Sequence, residues 1–107
     1  MNLINSSKAL PVFFQRSELN QILSVYGQMV AAGEWRDYAM DALDDCALFS
    51  IYRRASEAPM FQIEKRPALA RRQGAFCVRA MDGRILRRGH ELAQVLRVFD
   101  SKRMRLV

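Results

Sequence analysis

The chain has 107 residues, half of them apolar and 26% charged, a composition that excludes collagen-like and disordered chains and predicts one compact domain. Its longest apolar run, Ala9 to Phe14 counting Pro11, falls well short of the roughly 18 residues that cross a bilayer, and the polar segment before it lacks a cleavage signature. No membrane role is expected, and a cytoplasmic protein is. The formal charge is +6 but unevenly spread: residues 1–50 carry three basic and six acidic side chains, residues 51–107 fourteen and five. The second half is therefore the candidate surface for an anionic partner.

Residues 1–11, rich in Asn and Ser, are expected to form a flexible tail, with a single domain over 12–107. Around Pro11, the residues Leu10, Val12, Phe13 and Phe14 read as an extended apolar segment, a candidate edge strand. Ser17 is placed to cap a helix, with Glu18 in its first turn. Leu19, Ile22, Leu23, Tyr26 and Val30 then recur on one helical face, and Gly33 marks its end. Arg36 to Leu43 fits a strand or a short helix, and Asp44-Asp45 a turn. Leu48 to Arg54 and Met60 to Arg66 read as a hairpin that sets Phe49, Ile51, Phe61 and Ile63 on one face, with Ser50, Tyr52, Gln62 and Glu64 on a polar one. The alternating charges of Ile63-Glu64-Lys65-Arg66 before Pro67 suggest a protected edge.

Asp82-Gly83 predicts a two-residue turn in a second hairpin, with 80 facing 85 and 79 facing 86. That register lines the core with Phe76, Val78, Ala80 and Ile85, and sets Cys77, Arg79, Met81, Arg84, Leu86 and Arg88 opposite. A second helix is expected from His90 or Glu91, with Leu92, Val95, Leu96 and Phe99 at helical spacing, and Met104 to Val107 as a short final strand. The fold class is α+β, an antiparallel sheet of two consecutive hairpins packed against an N-terminal amphipathic helix and a C-terminal helix.

Cys46 and Cys77 sit in apolar contexts without a close-spaced partner, as buried free thiols do, and one histidine is too few for a zinc site. No metal and no cofactor is expected. Fourteen of the seventeen basic residues are Arg, whose planar fork suits phosphate. Arg71, Arg72, Arg79, Arg84, Arg87 and Arg88 are the candidate nucleic-acid contacts, with replacement of Arg84 and Arg88 by Ala expected to spare the fold; the plain reading is a solvated basic face. Tyr52 is the single aromatic on the polar face, which argues against base stacking by the sheet. Trp35 and Tyr38 are candidate partner anchors, or alternatively close one end of the core. His90, the one histidine, offers a catalytic alternative or a helix cap, and no Ser or Cys nucleophile is spaced to reach it.

The strings Leu19-Asn-Gln-Ile-Leu-Ser-Val-Tyr-Gly, Gly33-Glu-Trp-Arg-Asp-Tyr-Ala, Ile63-Glu-Lys-Arg-Pro, Ala70-Arg-Arg-Gln-Gly and Arg88-Gly-His-Glu-Leu-Ala-Gln-Val-Leu-Arg together resemble an uncharacterised family of small bacterial proteins, a domain of unknown function. The resemblance runs from about Val12 to Val107. It implies a small single-domain bacterial protein of the cytosol and transfers no activity, cofactor or catalytic residue. The expectation is a non-enzymatic module that contacts RNA, DNA or a ribonucleoprotein through its arginines. The alternative is a protein-interaction or regulatory subunit without a nucleic-acid role, homodimeric through a sheet edge or the Trp35 region.

Overall fold

The computed structural model describes residues 10–54 and 58–100. The expected tail residues 1–9 and the final strand Met104 to Val107 lie outside these. Over the described residues the chain is α+β: helix α1 (Arg16–Ala31), strands β1 (Asp37–Ala42), β2 (Ala47–Tyr52), β3 (Phe61–Lys65), β4 (Phe76–Ala80) and β5 (Ile85–Gly89), then the short helix α2 (Leu92–Leu96) running into a 3-10 turn at Arg97–Phe99. The five strands form one antiparallel sheet in chain order, a meander in which every neighbour in sequence is a neighbour in space.

Helix α1 begins earlier than Ser17 suggested. Its N-cap is Gln15, whose backbone N–H donates to Glu18 Oε1 at 2.7 Å, so the acidic residue three positions on satisfies a donor that the helix leaves free. The same carboxylate accepts from Lys65 Nζ at 2.8 Å, which ties the first turn to β3. The docked stripe is also rotated from the expected one: Ile22, Val25 and Met29 are buried, whereas Leu23 and Val30 are each 39% exposed. Two apolar stripes overlap on this helix, and contact with the sheet selects between them. The residues around Pro11 add no strand; Val12 N–H donates to Leu43 O as a single bond and Phe14 enters the core.

Arg36 to Leu43 resolves as strand β1 at the sheet edge. The register Phe49↔Ile63 and Ile51↔Phe61 matches the expected hairpin, and Tyr38 and Met40 of β1 extend the same face. The protected-edge reading of Glu64 to Arg66 is overturned, because β3 is the central strand with β2 and β4 on its flanks. Both β3 charges are consequently inside the structure and each needs a partner. The α1 and α2 residues Ile22, Val25, Met29, Leu92, Val95 and Leu96 close one face of the sheet over Phe49, Ile51, Ile63, Phe76 and Val78.

The turn between β4 and β5 also differs from expectation. Gly83 N–H donates to Ala80 O, Ala80 N–H donates to Arg84 O, and only Gly83 takes a positive φ, so the loop is the three residues Met81 to Gly83. Asp82 Oδ1 accepts from Arg84 N–H and stabilises this geometry. Arg79 therefore faces Ile85, a shift follows, and Val78 faces Arg87. Ile85, expected in the core, is exposed, and Leu86 packs against the core instead.

Candidate functional site

The sheet face away from the helices carries two cross-strand rows. One runs Leu48, Glu64, Cys77 and Arg88; the other runs Ser50, Gln62, Arg79 and Ile85. Alternation predicts polar side chains here, and their exposure departs from expectation. Glu64 is 2% exposed and Ser50 and Cys77 are buried as well. Gln62 Nε2 donates to Ser50 Oγ at 3.0 Å, and long arginine side chains converge on Glu64.

Arg79 Nη2 lies 2.8 Å from Glu64 Oε1, Arg66 Nε 3.0 Å from Glu64 Oε2, and Arg88 Nη2 3.9 Å from Glu64 Oε2. Arg66 also donates to Asp45 at 2.9 Å, and that bond holds the Asp45 carboxyl below its ordinary value. Burial pushes the Glu64 carboxyl up, but the hydrogen bonds and charges of Arg79 and Arg66 outweigh it, so the group sits below the usual carboxylate range. One buried carboxylate thus holds three guanidiniums in a fixed array. Its charge balances only one of them.

Arg88 does a second job. Its Nη1 donates to Gly74 O at 3.2 Å, which fastens the 66–75 connection to β5. That connection contains the 3-10 turn Pro67–Leu69 and then Arg71 and Arg72, both exposed. Gly74 adopts φ +105, and a Cβ there would collide with the Gly89 backbone, so only glycine permits this crossing of loop and strand. Arg66, Arg71, Arg72 and Arg88 are accordingly gathered at the sheet end where β3 finishes and β4 starts, with Arg79 farther along the same face.

The six arginines expected to form one surface are therefore divided. Arg79 and Arg88 belong to the Glu64 cluster, and Arg71 and Arg72 lie exposed on the connection that Arg88 fastens. Arg84 sits at the opposite sheet end in the β4–β5 turn, and Arg87 pairs with Val78 on the helix side and donates to Gln94 O at 2.9 Å. Glu64 and Arg66 are not among the six expected contacts; the charges Glu64 and Lys65 inside a strand flanked by hairpins on both sides are the signal that marks a central, paired position.

Trp35 is 1% exposed and packs edge-on to Phe99 at 5.0 Å, so it closes the core rather than anchoring a partner. Tyr38 is 45% exposed, stacked on Phe49 at 4.7 Å and edge-on to Tyr26 at 5.0 Å. His90 is exposed and caps nothing; the N-cap of α2 is Glu91 and no side chain bonds there. Both cysteines are free and buried, and burial pushes both thiols up, away from the reactive thiolate. Among the described residues no group of His, Cys, Asp and Glu is arranged for a metal ion, and no helix is long and apolar enough to cross a membrane. A groove of about 580 Å³ between α1 and α2 is lined by Asn20, Gln21, Ser24, Ala93 and Arg97 among others, without a thiol or imidazole.

Residues 12–96 match the family described as "Protein of unknown function (DUF2794)". No curated protein and no solved structure matches the chain.

Proposed function

Since the chain belongs to the DUF2794 family, whose description assigns no activity, its surface chemistry is the guide, and we propose that it is a non-enzymatic domain that grips the phosphate backbone of a nucleic acid, free or within a ribonucleoprotein. The observation that supports this reading is the excess of positive charge around Glu64: three guanidiniums meet one buried carboxylate and the exposed Asp45 that pairs with Arg66, and Arg71 and Arg72 stand exposed on the loop that Arg88 fastens. Guanidiniums already ordered by an internal partner lose little freedom when they take a phosphate, and each still has N–H donors to give. Tyr52, paired with Asp37 beyond the two rows, is the sole aromatic that the described strands set on this face, which favours backbone contact over base stacking.

The test is fluorescence anisotropy with labelled single- and double-stranded RNA and DNA across roughly 50 to 300 mM salt. Arg71 and Arg72 are the residues to change. Arg88 is left in place, because it donates to Gly74 O and faces Glu64, so that its removal together with Arg84 is expected to disturb the fold as well as any contact. Replacing Arg71 and Arg72 together by Ala is expected to leave the melting curve in place and to lower the salt slope of log K by about 1.4 to 1.8, two phosphate contacts' worth. Absence of binding to all four ligands at the low-salt end, or an unchanged slope in the variant, overturns the proposal.

A further inference from the structure

Two carboxylates reach the arginine cluster, and their surroundings differ. Glu64 bonds Arg66 and Arg79 from inside the sheet with its side chain 2% exposed, whereas the Asp45 side chain is 69% exposed. Asp45 stands on the turn between β1 and β2, which Leu43 N–H closes by donating to Cys46 O. Arg66 joins the two acids: its Nε lies 3.0 Å from Glu64 Oε2 and its Nη1 2.9 Å from Asp45 Oδ2.

These two bonds are not equivalent. The guanidinium is a rigid planar fork, so the Nε bond to a buried carboxylate fixes the direction of its other N–H groups. Glu64 is inaccessible to any ligand and stays where it is. The bond to Asp45 lies on the solvent side, where an ion pair is screened by salt and contributes little, so another anion can replace it. A carboxylate oxygen at 2.9 Å from a guanidinium nitrogen also occupies the place that a phosphate oxygen takes on the same fork. Arg66 is within reach of such a ligand, since its side chain is 30% exposed.

We propose that Asp45 is an internal competitor for phosphate: in the free protein it occupies the outer fork of Arg66, and an incoming phosphate displaces it. The contact restrains the site and selects among anions. A lone phosphate must replace an existing ion pair, whereas a polymer whose neighbouring phosphates meet the exposed Arg71 and Arg72 presents the next one at high effective concentration. The inference rests on the reading of this face as phosphate-binding and adds what regulates its affinity.

Inorganic phosphate is the probe, titrated to about 50 mM against chloride at matched ionic strength, with the Arg66 side-chain signals of the full chain followed by NMR. In the wild type these signals are expected to shift with weak affinity. Asp45→Asn keeps the shape, removes the competing charge, and is expected to bind phosphate about two- to fivefold tighter with the melting curve unchanged. Asp44→Asn removes the same charge from the exposed neighbouring position, which makes no bond to an arginine among the described residues, and is expected to stay close to wild type. Equal affinity in wild type and Asp45→Asn, an equal gain in Asp44→Asn, or Arg66 signals that phosphate leaves in place in both wild type and Asp45→Asn overturns the proposal. A gain confined to Asp45→Asn supports it even where the anisotropy series finds no nucleic acid bound, an outcome that removes the nucleic-acid reading alone.

Discussion

Glu64 shows how a single residue sets the character of this face. A buried carboxylate is costly unless charges and hydrogen bonds offset the lost hydration, and Arg79 and Arg66 both bond it directly. Glu64→Gln keeps the shape but leaves three guanidiniums crowded around a neutral amide, and is expected to destabilise the fold by about 3 kcal/mol at neutral pH, measured by urea titration. The pH dependence follows from the direction of the shift. The folded-state carboxyl lies below its unfolded value, so its contribution is complete above the ordinary carboxylate range and is lost as pH falls through the folded value. Wild-type stability should therefore drop below about pH 4, and the Gln variant should show a shallower acid limb; equal acid limbs would show that Glu64 is not the group responsible.

Strands and turns carry a different kind of information. The three-residue loop at Met81 to Gly83 reassigns Ile85 and Leu86 to opposite environments from those a two-residue turn dictates, since an added residue flips the side chains that follow. Asp82-Gly83 is compatible with both loops, and the Asp82 bond to Arg84 N–H accompanies the longer one. The connection before β4 depends on Gly74, which faces the Gly89 backbone directly. Gly74→Ala is expected to cost about 2 to 4 kcal/mol and lower Tm by about 10 °C or more, because positive φ and a backbone clash coincide. Gly83→Ala, strained by its φ but with nothing within 4 Å of the added carbon, should cost less; equal losses at the two sites would refute the crossing as the cause.

Across the whole molecule, the sheet separates the Glu64 arginine cluster from the helical layer. The helices close one face, while the other face is ordered by arginines around Glu64.

Period and turn chemistry suffice to read α1, the Phe49 to Ile63 register, the stretch from Leu92 to Phe99 and the α+β class, because each depends on residues close in the chain. The burial of both thiols was legible for the same reason, since apolar residues accompany Cys46 and Cys77, whereas Trp35, set between Glu34 and Arg36, left partner anchor and core closure both open. What the sequence left open needs the order of strands. Only the meander makes β3 central, and only then does Glu64 become a buried charge that recruits Arg66, Arg79 and Arg88 from three segments of the chain. The same cause separates Arg84 and Arg87 from Arg71 and Arg72 and exposes Leu23 and Val30. Local pattern states which side chains share a face of their own element; which face is covered, and which charges meet there, is decided by long-range packing.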